Sequence, residues 1–164
     1  DRIPSLRPAF KADGTITAAN ASSISDGASA LVLASADALG DREPLAKVVG
    51  HATHSIHPRE FTLAPIGAIQ KLADKIGWDL DSVDLFEINE AFAMVTMLTV
   101  QELGLDTKRV NVFGGACAQG HPIGSTGSRL IVTLAHAMKN QGKQRGIAAL
   151  CIGGGEATAI ALER

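Results

Sequence analysis

Stretches with helical periodicity alternate with short apolar runs along most of this chain, and that order restricts its fold more than any other feature. Residues 63–76, 91–103 and 124–140 carry apolar side chains at helical spacing, and each stretch meets a glycine within two residues of its end. The short apolar runs predict strands at residues 27–35, 45–54, 83–88, 110–113, 147–152 and 157–162. The order predicts an α/β domain in which a mostly parallel sheet, with one antiparallel pair, is layered with helices.

Three segments carry more specific expectations. Residues 1–26 are rich in Pro, Ser and Asn and predict a loop, so we expect part of their packing surface to be missing or to lie on a partner. The helix at 91–103 is apolar on nearly all sides, which predicts a central, buried position. The three glycines at 153–155 predict a hairpin between the last two strands.

Composition excludes several classes of function. The chain has 164 residues, enough for one domain or one domain plus a short piece of another, and its net charge is −2 with scattered basic residues. This charge pattern does not predict nucleic-acid binding. No apolar run is long enough to predict a membrane-spanning segment. Two cysteines make no disulfide framework, and the first residues do not read as a signal peptide, so we expect a cytoplasmic location.

Two glycine-rich loops carry the candidate chemistry. His121 lies in the run 114–127, directly before an apolar helix, and Cys151 stands two residues before the glycine turn at 153–155. Glycines let backbone amides approach a ligand closely, and aligned amides stabilise a developing oxyanion. A histidine and a cysteine on two such loops suit acyl chemistry. Asn89 stands at a strand-to-helix junction, where open α/β sheets bind ligands.

Each of these residues also has a purely structural interpretation. Asn89 could cap the following helix, with Glu90 complementing the positive end of that helix. His121 could be a capping or core histidine, and Cys151 a buried core thiol. For Cys117, in the first glycine loop, we favour packing because nothing local would activate its thiol.

Metal and nucleotide sites are not expected. His51, His54 and His57 are spaced by three residues, but their run is strand-like and no acidic or cysteine partner stands at ligand spacing. Neither glycine loop matches the phosphate loop or the dinucleotide fingerprint.

Three motifs in this order resemble the C-terminal half of the thiolase family, the acetyl-CoA acetyltransferases. Residues 89–92 read Asn-Glu-Ala-Phe, residues 120–124 read Gly-His-Pro-Ile-Gly, and residues 151–155 read Cys-Ile-Gly-Gly-Gly. The stretch from residue 6 to residue 28 also looks like the family's segment that leads into this half. The resemblance covers essentially the whole chain.

The resemblance implies a fold of two similar halves, each a mixed five-stranded sheet between helices, with a loop domain inserted in the first half. Residues 1–25 would then be the end of the loop domain, and residues 26–43 the last strand and helix of the first half. Residues 44–164 would be the complete second half.

The resemblance also implies a role for each candidate residue. In thiolases, a first-half cysteine attacks a thioester and becomes acylated. His121 would activate that nucleophile and bind the thioester oxygen, while Asn89 would hold the water that completes the first oxyanion hole. Cys151 would be the acid/base, and the Gly153 amide would contribute to the second oxyanion hole. Ser22 would lie against bound coenzyme A.

The implied activity is the condensation of two acetyl-CoA molecules or the thiolysis of a 3-ketoacyl-CoA, with coenzyme A thioesters as substrates and no permanently bound cofactor. Ser23 and Ser25 replace the Gly and Asn expected beside Ser22. No cysteine here stands in the context of the first-half nucleophile, so we expect the chain to lack the missing N-terminal half and to be inactive alone. We also expect self-association as a dimer or tetramer.

Two alternatives stay open at this point. Cys151 could itself be a nucleophile, with His121 as base and Asn89 as orienting group, as in a cysteine hydrolase. The chain could instead be a non-catalytic module that binds acyl-CoA or only dimerises.

Overall fold

The computed structural model describes residues 2–164, and a mixed sheet forms its centre. Its strands are β1 (Lys47–Ser55), β2 (Leu85–Ile88), β3 (Arg145–Ile152) and β4 (Glu156–Glu163). The order across the sheet is β1-β4-β3-β2, in which β2 and β3 are parallel while β4 runs antiparallel to both of its neighbours. The predicted class, a mixed sheet layered with helices, is confirmed.

Five α-helices accompany the sheet within residues 2–164, and glycines end the long ones as predicted. Gly77, Gly104 and Gly142 each cap a helix in the left-handed conformation, with φ values of 68°, 64° and 66°. The helices are α1 (Ala36–Leu39), α2 (Ala64–Ile76), α3 (Ala93–Leu103), α4 (Ala116–Gln119) and α5 (Thr126–Gln141). No helix within residues 2–164 is both long enough and apolar enough to span a bilayer.

The predicted hairpin joins β3 to β4. Ile152 pairs with Glu156 across the glycine turn. Gly155 has φ +92°, and a Cβ there would run into the carbonyl oxygen of Ile56, so this turn position requires glycine. The hairpin therefore ends close to the loop that follows β1.

Alternating residues of the strands build a core on each face of the sheet. On one face Phe86 and Ile147 pack with Leu72 of α2, and all three are at most 1% exposed. On the other face Ala148 packs with Leu134 of α5. The helices thus cover opposite faces, and the loops at the carboxyl ends of β2 and β3 lie between them.

The strand expected at residues 110–113 is wrong in extent. Only Val110 bridges Phe86, in parallel orientation, before Asn111 turns the chain at φ +48°. The Asn111 side chain takes over the pairing: its Oδ1 accepts from the Ile88 N–H at 2.8 Å, and its Nδ2 donates to the Ile88 carbonyl at 2.9 Å. A side-chain amide therefore stands where the fifth strand was expected.

The strand expected at residues 27–35 is also wrong for this structure. The segment belongs to no strand, and Val32 and Leu33 are 99% and 79% exposed. Its apolar composition predicted burial, but no strand within residues 2–164 pairs with it.

Helix α3 is less enclosed than its composition predicted. It buries Val95, Thr96 and Thr99, whereas Met97 is 67% exposed. One side of α3 packs toward the sheet and α2, and the rest faces outward.

Candidate active site

Two loops meet at the edge of the sheet formed by the carboxyl ends of β2 and β3. Asn89 directly follows β2, and its backbone N–H donates to the Ala149 carbonyl of β3 at 3.0 Å. His121 lies on the loop between α4 and α5. The Asn89 Nδ2 and the His121 Nε2 are 3.4 Å apart, at the long end of hydrogen-bond geometry.

Asn89 does not cap a helix. The N-cap of α3 is Phe92, which makes no side-chain cap hydrogen bond. Asn89 is only 1% exposed, and within residues 2–164 its Oδ1 has no hydrogen-bond partner. A buried amide oxygen is normally paired, so this acceptor is available for a donor that enters the site.

The protonation state of His121 follows from its neighbours. Its Nδ1 lies 2.7 Å from the Thr126 Oγ1, and that hydroxyl donates its own proton to the Pro122 carbonyl at 2.9 Å. The hydroxyl must therefore accept from Nδ1–H, which leaves the Nε2 lone pair directed at Asn89. Burial and the positive charge of Arg129 both lower the pKa of His121, which favours the neutral ring.

A segment near the N-terminus crosses both loops, and we call residues 20–25 the crossing segment. Ala21 bridges Phe92, and Ile24 bridges His121. The His121 N–H donates to the Ser23 carbonyl at 2.9 Å. The half-buried Ser22 donates to the Ala91 carbonyl from both its N–H (3.2 Å) and its hydroxyl (3.0 Å). Ser22 therefore lies beside the loop that carries Asn89.

Glu90 binds the second loop rather than the start of α3. Its Oε2 accepts from the Cys117 N–H at 3.0 Å, at the beginning of α4. A Cβ at Gly115 would collide with the Glu90 carboxylate, so glycine is needed for this approach. Burial, together with the charge and hydrogen bond of Glu90, raises the pKa of Cys117 to about 11, which agrees with a packing role for this thiol.

Cys151 and Gly153 lie at the end of β3, on the same edge of the sheet. Cys151 is 8% exposed, and burial raises the pKa of its thiol. It stands two residues beyond Ala149, the residue that accepts from Asn89. No hydrogen bond within residues 2–164 joins Cys151 to Asn89 or His121. The Gly153 amide is exposed and donates to no group in the described chain.

Sequence reasoning missed Glu87 and Arg129. Glu87 is 3% exposed on β2, and its Oε1 has no partner within residues 2–164. Burial and the charge of Glu90 raise its pKa to about 8 against the opposing charge of Arg129, so it is largely protonated at neutral pH. The sequence signal for a buried carboxyl was a glutamate between Phe86 and Ile88 in an apolar run. Arg129 carried no signal, because an arginine on a surface helix is ordinarily exposed to solvent.

A cavity of about 270 Å³ lies elsewhere, between α5 and the sheet face formed by β3 and β4. It is lined in part by Ile131, Leu150 and Thr158, and it contains neither Asn89 nor His121. His51 lines the same cavity. No group of three or more His, Cys, Asp or Glu within residues 2–164 could hold a metal ion.

The fold and these loops define a mixed-sheet α/β domain with an imidazole–amide pair at its carboxyl edge. The family model for the thiolase C-terminal domain matches residues 42–164, and the model for the thiolase N-terminal domain matches residues 1–37. The chain belongs to the thiolase family.

Individual relatives agree with this assignment. Over 167 aligned residues the chain is 48% identical to an acetyl-CoA acetyltransferase of Chromobacterium violaceum, a match that takes in 100% of this chain and 42% of the relative. The crystal structure of the Bacillus anthracis acetyl-CoA acetyltransferase superimposes with a TM-score of 0.96 at 43% identity, over 99% of this chain and 42% of the other. The Acat5 thiolase from Ascaris suum, solved in complex with coenzyme A, gives 0.95 at 49% identity, over 99% and 43%. The chain thus spans less than half the length of these relatives.

Proposed function

We propose that these residues form the C-terminal part of a thiolase that transfers acyl groups between coenzyme A thioesters. The reaction is the condensation of two acetyl-CoA molecules to acetoacetyl-CoA or the reverse thiolysis of a 3-ketoacyl-CoA. The observation that carries the proposal is the Asn89–His121 pair, in which a neutral imidazole directs Nε2 toward a buried amide at the carboxyl edge of the sheet.

His121 would act first as a proton acceptor. Its Nε2 lone pair can take the proton of a nucleophilic thiol, because Nδ1–H is engaged by Thr126. The imidazolium so formed can donate from Nε2 to the thioester oxygen while that oxygen becomes negative. The lowered pKa of His121 keeps the ring available as a base at neutral pH.

Asn89 would complete the same oxyanion site. Its Oδ1 is buried and lacks a partner within residues 2–164, so it can accept from a water held beside His121. That water would donate its other proton to the thioester oxygen. The amide would then act through the water, in agreement with the role that the family resemblance implies.

Cys151 would be the acid/base of the second half-reaction. Its raised pKa keeps the group as a thiol in the resting state, ready to donate a proton. In the condensation direction the thiol would first give its proton to the coenzyme A thiolate released from the first acetyl-CoA. The resulting Cys151 thiolate would then remove a proton from the methyl group of the second acetyl-CoA. The unengaged Gly153 amide, two residues further on, would stabilise the resulting enolate.

The attacking cysteine would come from a part of the thiolase outside these residues. The exposed run 27–35 supports this, because an apolar segment with 99% exposure at Val32 needs a sheet to cover it. We propose that residues 26–43 complete the first half of the enzyme, that residues 1–25 end its loop domain, and that residues 44–164 form the second half. Alone, the chain would bind substrate incompletely and would not turn over.

Coenzyme A thioesters would be the substrates, with Ser22 of the crossing segment against the coenzyme and no permanently bound cofactor. We further propose a role in lipid metabolism, a homodimer or homotetramer, and a cytoplasmic location. Both cysteines are free, as a reducing compartment would keep them.

The cysteine-hydrolase alternative gains nothing from the geometry. A hydrolase needs its thiol within hydrogen-bond reach of the base, and no such bond joins Cys151 to His121 within residues 2–164. The two nitrogens of His121 instead contact Asn89 and Thr126.

Thiolysis of acetoacetyl-CoA tests the proposal. We expect turnover from the full-length protein, a loss of about 10²–10³-fold in kcat for its His121→Ala variant, and no turnover from residues 1–164 alone. Thiolase-like rates from the 164-residue chain would contradict the missing nucleophile. Stable labelling of Cys151 by an acyl probe, with hydrolysis in place of thiolysis, would favour the hydrolase.

A further inference from the structure

Arg129 holds the turn that presents His121. Its Nη1 donates to the Gly120 carbonyl at 2.8 Å, and Gly120 has φ +86° directly before the histidine. Thr126, which accepts from the His121 Nδ1–H, lies three residues earlier on α5, and residues at that spacing share one face of a helix. One face of α5 thus contacts the histidine ring and the carbonyl that precedes it.

The charge of Arg129 has no counter-ion at the site. No carboxylate within residues 2–164 forms an ion pair with it. Glu87, which faces it from β2, is kept largely protonated by burial, and the Glu90 carboxylate is bound to the Cys117 N–H. A half-buried positive charge without a partner repels a second positive charge nearby, here the protonated form of His121.

We propose that Arg129 is a positioning residue for His121: it fixes the Gly120 turn and keeps the imidazole neutral. Thr126 sets which ring nitrogen carries the proton. The effect of Arg129 on catalysis rests on the function proposed above. The protonation state of His121 does not depend on that function, because it can be measured without turnover.

Two substitutions separate the two actions of Arg129. Arg129→Gln removes the charge and keeps a donor for the Gly120 carbonyl, whereas Arg129→Lys keeps the charge. Lys139→Gln is the matched control, since it removes one positive charge from the exposed last turn of α5. Arg129→Met is a second variant without charge in case the glutamine does not fold.

Nuclear magnetic resonance of the full-length protein with labelled histidine gives the first readout, with His121→Asn to assign the signal. We expect Nδ1–H in the unmodified protein at neutral pH. We expect the pKa of His121 to rise in Arg129→Gln and Arg129→Met, and to stay at its original value in Arg129→Lys and Lys139→Gln. An unmoved pKa in both uncharged variants, or an equal rise in Lys139→Gln, would overturn the proposal.

The pH profile of thiolysis gives the second readout. A base that is protonated more readily moves the acidic limb of kcat/KM to higher pH, so we expect this shift in Arg129→Gln and its rescue in Arg129→Lys. A purely structural role for Arg129 would lower the rate at every pH without moving the limb, which would contradict the proposal. If the full-length protein performs no thiolysis, the proposed function fails while the histidine measurement still decides the role of Arg129.

Discussion

The two ends of this chain differ in whether their apolar side chains find anything to pack against. Among the described residues, none before Ala64 is buried, although the N-terminal region (residues 2–40) contains several large apolar side chains. The sheet region (residues 45–164) places Phe86, Leu72 and Leu134 at 1% exposure or less. Similar apolar runs thus have opposite fates in the two regions.

The difference teaches that an apolar run specifies burial only where the chain also supplies the covering surface. In the sheet region, helices α2 and α5 cover the two faces, so strands β2, β3 and β4 pack on both sides. In the N-terminal region, helix α1 and a few turns are local, and the backbone bridges to the sheet region within residues 2–164 are those of Ala21 and Ile24 at the site. The candidate site therefore joins the well-packed sheet region to a segment whose apolar side chains stay exposed.

The largest expected effect comes from the core of the sheet region. Leu72→Ala should lower the free energy of unfolding of the 164-residue chain by about 2–5 kcal/mol, because it opens a cavity under the sheet. Leu33→Ala, at an exposed position of the N-terminal region, should change it by less than about 0.5 kcal/mol. Urea titrations of the two variants measure both values, and equal losses would break the comparison.

In the full-length protein the same leucine becomes a test of the proposed first half. If residues 27–35 pack there against another sheet, Leu33→Ala should become destabilising by about 1–3 kcal/mol. If Leu33→Ala instead leaves the free energy of unfolding unchanged in the full-length protein as well as in the 164-residue chain, that result contradicts the packing proposed for this segment.

The next effect concerns catalysis by the sheet region. Asn89→Ala in the full-length protein should reduce kcat for acetoacetyl-CoA thiolysis by about 10²–10³-fold, because the first oxyanion site loses its buried amide. Met97→Ala is the control, because Met97 lies outside the site on the exposed side of α3. In the 164-residue chain we expect this variant to fold like the unmodified chain. A variant of Asn89 with full kcat would show that the amide does not serve the reaction.

A pH-dependent effect distinguishes a buried carboxyl from an exposed one. The unfolded Glu87 carboxyl loses its proton near 4.5, whereas the folded one retains it up to about 8. Its contribution to stability is therefore complete below pH 4.5 and is lost as the pH rises toward 8, with a slope of at most about 1.4 kcal/mol per pH unit.

Glu87→Gln should remove this loss. Relative to the unmodified chain, the free energy of unfolding of the variant should rise between pH 5 and pH 8, as urea titrations at several pH values would show. Asp26→Asn, at an exposed position of the N-terminal region, is the control. Parallel pH curves for Glu87→Gln and the unmodified chain would mean that Glu87 is ionised in the folded state.

The smallest effect belongs to the crossing segment. Ser22→Ala removes the hydroxyl that we propose to lie against coenzyme A, together with its contact to the Ala91 carbonyl. We therefore expect binding to weaken by about 1 kcal/mol, seen as a rise of a few-fold in KM with little change in kcat. Steady-state kinetics with varied coenzyme A concentration would measure it. A loss confined to kcat would place Ser22 in the chemistry instead.

Sequence patterns predicted most of the sheet region because each element there carries its own signal. The helix ends at Gly77, Gly104 and Gly142 followed from glycine in the left-handed conformation, and the hairpin from the run 153–155. Patterns failed for residues 27–35 and for α3, because exposure depends on what other parts of the protein cover. They also failed at Val110, where a side chain replaced a strand.

The sequence motifs indicated the candidate site by residue type but not by contact. The motifs indicated Asn89, His121 and Cys151, yet only the structure pairs Asn89 with His121 and engages His121 with Thr126. The tautomer depends on where the Thr126 hydroxyl sends its proton, which no local pattern encodes. Glu87 and Arg129 were missed because burial of a charge is a property of the assembled layers.

The amide of Asn111 also has a consequence for how copies of this protein can meet. An edge strand normally exposes unpaired N–H and C=O groups to other chains, and such edges promote aggregation by strand pairing. Here the N–H and C=O groups of Ile88 are already paired with the Asn111 side chain, which cannot add a further strand. The outer edge of β2 is therefore closed at Ile88. Subunits that associate must use other surfaces, because they cannot form a continuous intermolecular sheet at this edge.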